Sequence, residues 1–235
     1  MPSIHIFVED KLCEVYEVLA AKALAFSAHH AAESDKHSIR ASQVTLDELI
    51  SDKHLLDLAR RSQRSGCQQV IFALDHEGSG AAPERADARH HFREAFQALC
   101  NHIACLSDED PLKQLRLVRV EVHSCLEAWL LSDPQAIVKA FSGPADYRPD
   151  VRQTEALSPR EARDGIAHIV RQIGGRKGNR RLARMRGSDV KSEGAKIAEH
   201  LDLDRARRNN RSLDYFCEMV AQQGDGCRQP CPELD

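Results

Sequence analysis

Val70-Ile71-Phe72-Ala73-Leu74-Asp75-His76-Glu77-Gly78-Ser79-Gly80 is the stretch on which the fold class turns. Five consecutive apolar residues, β-branched and aromatic among them, predict a buried strand. The run then breaks into an acidic turn followed by glycine and serine, residues that favour loops. Working outward, Ile4-His5-Ile6-Phe7-Val8 reads as an earlier strand of the same kind, and Leu115 to Val122 as a later one. Helical patterns lie between them. One follows Asp10, a candidate N-cap, through Leu12, Val15, Val18, Leu19 and Leu24; a second spans Leu46 to about Arg64 and is stopped by Gly66. A third runs from about Pro83 to Cys105, and a fourth around Leu126–Phe141. Strands alternating with helices predict an α/β fold with a parallel sheet over residues 1–141. Residues 142–158, with Gly143, Pro144 and Pro149, are expected to be a linker or lid. Residues 159–235 read as a mainly helical extension interrupted by Gly174-Gly175-Arg176-Lys177-Gly178.

The 235 residues carry 29% charged and 42% hydrophobic side chains, with a mean hydropathy of −0.48, which excludes disordered and fibrous classes. No apolar run approaches the roughly 20 residues of a membrane span. The N-terminus leads straight into a strand pattern without signal-peptide architecture, so a cytoplasmic protein is expected. Net charge is only −3, yet residues 1–134 hold 14 Lys/Arg against 21 Asp/Glu and residues 135–235 hold 19 against 15. Between Arg171 and Arg211 stand 13 basic and 5 acidic residues. An acidic half followed by a basic half suits a metal-dependent enzyme on a polyanion, and equally two solvated surfaces. The eight cysteines form no compact framework and are expected to stay reduced, with Cys13, Cys100 and Cys125 in the core. Cys227 and Cys231 lack a matching ligand pair for zinc.

Ligands of open parallel sheets collect beyond the carboxyl ends of the strands. Glu9 follows the first strand there, Asp75 and Glu77 the second, and Glu127 with Asp133 the segment after the third. Carboxylates converging on one edge repel one another unless a hard divalent cation such as Mg²⁺ or Mn²⁺ lies between them. Simpler roles compete: Glu9 and Asp10 suit a helix start, and Asp133-Pro134 has the form of an N-cap with proline at the first helical position. Glu127 resists such a reading, because it is a lone charge in Leu126-Glu127-Ala128-Trp129-Leu130-Leu131 and a buried carboxylate needs a partner or a metal. Trp129 reads as a core anchor. His76 would point away from its two acidic neighbours, and the pairs His29-His30 and His90-His91 diverge on their helices.

These residues carry a resemblance. Val8-Glu9-Asp10 resembles the strand-end glutamate of the Toprim (topoisomerase–primase) fold, and Asp75-His76-Glu77 stands in place of its Asp-x-Asp motif. Leu126-Glu-Ala-Trp-Leu-Leu-Ser-Asp-Pro134 and Asp202-Leu-Asp-Arg-Ala-Arg-Arg-Asn-Asn-Arg-Ser-Leu-Asp-Tyr-Phe216 resemble segments of a family of small, largely uncharacterised Toprim-like proteins. The resemblance implies a Toprim-like sheet and Mg²⁺-dependent phosphodiester chemistry, as in nucleases of the overcoming-lysogenization-defect type. It also implies an ATPase partner in defence against phage. Asp10 replaces a common glycine and Glu77 a common aspartate, which bears on catalytic competence more than on fold.

On that reading Glu9, Asp75, Glu77 and Glu127 are the metal ligands, with Glu9 also a candidate general base. Lys191 and Lys196 are the candidates for stabilising charge on the scissile phosphate. Arg176, Lys177, Arg180 and Arg181 are candidate contacts to a DNA or RNA backbone. The same stretch lacks the order of a P-loop, which excludes nucleotide hydrolysis by this chain. The alternative is a non-catalytic Toprim-shaped partner or sensor subunit of an ATPase complex, and homo-oligomers are open to either.

Overall fold

Hydrogen bonding between strands distant in sequence builds the sheet. The computed structural model describes residues 3–9, 11–28, 38–76, 83–151 and 153–222. Its four strands, β1 (Ser3–Val8), β2 (Ser38–Gln43), β3 (Gln69–His76) and β4 (Arg116–His123), stand in the order β2-β1-β3-β4. All run parallel, with Ile6 of β1 opposite Ala41 on one side and Ile71 on the other. The α/β class expected from the alternating pattern is therefore the observed one. The three apolar runs became β1, β3 and β4. The edge strand β2, Ser-Ile-Arg-Ala-Ser-Gln, has no apolar run to announce it; it forms because β1 supplies its ladder and Glu17 accepts the Ala41 N–H at 2.7 Å.

The helices are α1 (Cys13–Ala28), α2 (Leu46–Leu49), α3 (Asp52–Arg64), α4 (Pro83–Ala104), α5 (Leu126–Leu131), α6 (Pro134–Ala140), α7 (Pro159–Lys177), α8 (Gly194–His200), α9 (Leu203–Asn209) and α10 (Arg211–Ala221). Two expected helices are each split by a cap. Ser51 accepts the His54 N–H and starts α3 afresh after α2, and Asp133 accepts the Gln135 N–H and starts α6 after α5. The expected interruption at Gly174–Gly178 is also corrected. α7 continues through Gly174 and Gly175 to Lys177 and stops at Gly178, whose φ of 65° suits a glycine cap. Gly174 is required for packing: a Cβ there would stand 2.3 Å from the backbone nitrogen of Ala183.

The chain separates into two compact units: Met1–Leu74 with Ala81–Glu121 and Tyr215–Asp235, and Asp75–Gly80 with Val122–Asp214. The expected boundary at residue 141 falls inside the second unit, and Thr154, within the expected linker, is fully buried. The first unit's core places Phe7 against Phe72 at 5.6 Å and Phe72 edge-on to Phe96 at 6.3 Å. Each such buried side chain contributes on the order of 1.5–3 kcal/mol. In the second unit Trp129 is fully buried and donates its indole N–H to Ser212 Oγ at 2.8 Å, the anchor role expected of it. Among the described cysteines, Cys13, Cys67, Cys105, Cys125 and Cys217 stand outside any disulfide, whereas Cys100 is disulfide-bonded, against the expectation of a reduced thiol. Cys227 and Cys231 lie outside the described residues. Among those residues no helix is long and apolar enough to cross a membrane.

Candidate functional site

Five of the six residues of α5 are apolar and all six are buried, so its one charged side chain is carried inward with them. Glu127 is 3% exposed, and its Oε1 has no hydrogen-bond partner among the described residues. Burying a carboxyl oxygen without a partner is costly. Nearby in the second unit, Cys125 is 2% exposed and its thiol is pushed up to about 12, first by burial and then by the negative field of Glu127, with a smaller push from Asp75. Asp75, half-buried near the end of β3, thus shares the electrostatic surroundings of Cys125 with Glu127.

A polar network holds the segment that carries Glu127. The hydroxyl of Ser212, itself fully buried, accepts the His123 N–H at 3.0 Å and the Trp129 indole N–H at 2.8 Å, and donates to Asn210 Oδ1 at 2.9 Å. Asn209 donates to the Ser132 carbonyl at 2.9 Å. Asp133, fully buried, caps α6, accepts the Asp202 N–H at 2.9 Å and faces Arg205 at 3.2 Å, so capping and pairing account for it. The resemblance segment 126–134 and residues 202–214 of the segment 202–216 therefore meet through hydrogen bonds within one unit. Sequence reasoning quoted Asn209, Asn210 and Ser212 without assigning them work. The visible signal was the polar stretch Asn209-Asn210-Arg211-Ser212 between two helical patterns.

The other expected ligands stand as follows. Glu77 lies outside the described residues, as does the side chain of His76. Glu9 belongs to the first unit, directly after β1, where it lines a cleft of about 470 Å³ with Gln43, Thr45 and Glu48. Glu48 is engaged in a capping box with Thr45, which holds its carboxyl below the ordinary range through the Thr45 backbone N–H. Among the described residues no three acidic, histidine or cysteine side chains come together as metal ligands. His90 and His91, expected to diverge, instead both reach the exposed Glu94, at 3.2 and 3.4 Å, with their ring centroids 5.9 Å apart. His29 and His30 are outside the described residues.

All the candidate cations fall in the second unit. Lys196, on α8, lies 4.3 Å from the Phe141 ring centroid and 3.8 Å from Glu193. Lys191 is exposed on the turn before α8. Arg176 covers the Tyr147 ring at 4.6 Å, and Lys177 donates to the Ser142 carbonyl at 2.9 Å. Arg180 and Arg181 are exposed beyond the end of α7. The unit thus combines a buried, incompletely satisfied carboxyl with a strongly basic surface.

No curated protein and no solved structure matches the chain. Residues 15–221 match the family described as Domain of unknown function (DUF4276), from the first turns of α1 to the last residue of α10. The chain belongs to the DUF4276 family.

Proposed function

We propose that this protein is a Mg²⁺- or Mn²⁺-dependent phosphodiesterase acting on nucleic acid, with Asp75 and Glu127 as the carboxylates that hold the cation. The observation that carries the reading is the Oε1 of Glu127, an oxygen withdrawn from water with no hydrogen-bond donor among the described residues. Hard divalent cations favour oxygen donors of this kind. Such a cation, when bound, supplies charge neutralisation at the scissile phosphate and a more acidic water. The chain's own contribution is to fix the Glu127 backbone through Trp129, Ser212 and Asn210 and to present cations from the same unit to a polyanion. Lys191 and Lys196 are the side chains proposed to steady charge on phosphate oxygens. The resemblance also implies Glu9 and Glu77 as ligands and Glu9 as a base; Glu9 belongs to the first unit and Glu77 lies outside the described residues. The resemblance set out above extends the reading to a cytoplasmic protein with an ATPase partner in phage defence.

Calorimetric titration of Mg²⁺ and Mn²⁺ into the wild type, Asp75→Ala and Glu127→Gln tests it, together with cleavage of plasmid DNA and labelled RNA. Binding and cleavage in the wild type, lost in both variants, is the expected result. Wild-type cleavage by both variants would show that the assigned carboxylates are the wrong ones. Absence of binding and of cleavage in the wild type would favour the non-catalytic subunit instead.

A further inference from the structure

We propose that the end of α7 and the turn that follows it form a preorganised clamp for the phosphate backbone of double-stranded nucleic acid, recognising charge and shape and not base. This rests on the reading that a polynucleotide is the substrate class. Residues 171–188 contain seven Lys/Arg and no Asp/Glu, and Arg176, Lys177, Arg180, Arg181 and Arg184 are all exposed. The guanidinium groups of Arg180, Arg181 and Arg184 meet no carboxylate or carbonyl among the described residues. Elsewhere in the unit Arg205 pairs with Asp133 and Asp202, and Arg207 with Asp214. Positive charge concentrated and not paired by the described residues is the electrostatic footprint of a polyanion site.

The segment is also held in shape. Asn179 Oδ1 accepts the Arg181 and Leu182 N–H groups at 3.1 and 3.2 Å, and its carbonyl accepts the Ala183 N–H at 3.0 Å. Gly174 lets residues 182–183 lie directly on α7, and Met185 is buried while its carbonyl accepts from Arg171 at 3.0 Å. Arg180, Arg181 and Arg184 therefore project from a turn pinned at both ends, and little backbone ordering remains to be done on binding. Stacking on bases lacks the means. The stretch 171–191 has no aromatic residue, the ring of Tyr147 lies under Arg176, and the Asn179 carbonyl oxygen is spent on the turn. Without stacking platforms a single strand has little to hold, whereas a duplex offers closely spaced phosphates.

The test is fluorescence anisotropy of the full chain with a short labelled duplex of mixed sequence, its single strand and poly-glutamate, in EDTA across a salt series. The wild type is expected to bind duplexes of different sequence alike, more tightly than the single strand, with steep salt dependence. The triple variant Arg180→Ser, Arg181→Ser, Arg184→Ser is expected to lose about tenfold or more at low salt and to flatten the log–log slope by roughly two to three, about 0.9 per lost phosphate contact. Gly174→Val keeps every charge but pushes residues 182–183 off α7, and is expected to flatten the slope as well. Unchanged affinity and slope in the triple variant would overturn the clamp, as would failure of the wild type to bind duplex. Equal binding of poly-glutamate would assign the surface to an acidic protein instead. Because EDTA removes the proposed cation, binding is read apart from cleavage; duplex binding in EDTA together with no cleavage once Mg²⁺ is supplied counts against the catalytic reading alone.

Discussion

Glu121, late in β4, and Glu127, early in α5, are equally hidden at 2% and 3% exposure, but their surroundings differ. In the first unit Glu121 receives two hydrogen bonds from Arg93, at 2.8 and 2.7 Å, and has Arg119 at 3.4 Å, with Arg119 in turn 6.0 Å from the Phe96 ring. In the second unit Glu127 shares its surroundings with a thiol and another carboxyl, and one of its oxygens has no hydrogen-bond partner among the described residues. A buried carboxyl gripped by arginine is explained by structure alone. One left without a donor points to something outside the chain that completes it. Burial and residue type are the same in both; the sign of the neighbouring charge separates them.

The largest expected effect belongs to the satisfied member. Glu121→Ala removes the buried carboxylate that faces both Arg93 and Arg119 and should cost about 3–5 kcal/mol in urea unfolding. The lower end is expected, because Arg93 is 41% exposed and can turn to water. A cost below about 1 kcal/mol would erase the contrast between the two glutamates. Ser212→Ala comes next. It strips the Trp129 indole N–H and the His123 N–H of their acceptor, an expected loss of about 1–3 kcal/mol. A Mg²⁺ response weakened alongside stability would tie the network to the placement of Glu127.

His5 gives a smaller, pH-dependent effect. Its ring lies between the hydroxyls of Ser62 and Ser42, at 3.0 and 2.9 Å, and its pKa is lowered to about 4, first by burial and then by Arg40. The unfolded chain, near 6.5, takes up a proton that the folded ring refuses. The stabilisation is therefore complete above pH 6.5 and lost as pH falls toward 4. With the ring partly open to solvent, the loss should be about 1–2 kcal/mol. His5→Gln should remove that part of the pH profile, and an unaltered profile would refute the assignment. The smallest change is expected where the second carboxyl is neutralised. Glu127→Gln without metal should unfold within about 1 kcal/mol of wild type, unlike any loss of Glu121. Saturating Mg²⁺ should raise the wild type by about 2.7 kcal/mol at a hundred times Kd and leave this variant unmoved. A large loss of stability in Glu127→Gln would show the two glutamates to be of one kind.

Much of this was legible in the linear chain, and for local reasons. Apolar runs located β1, β3 and β4 because strands buried on both faces need no alternation. Asp133-Pro134 announced its cap, and Glu127 stood out as a charge among apolar residues, since caps and amphipathic patterns are written in neighbouring positions. Other features depend on partners far along the chain. β2 exists because β1 offers a ladder. α7 runs through two glycines because a backbone stretch lies against Gly174. The fate of two similar glutamates is set by which charged groups folding brings beside each. Local sequence determined the elements and the residue types at their ends. Only the tertiary structure decided which polar groups found partners, because hydrogen bonding and burial are settled between segments that are distant in sequence and adjacent in space.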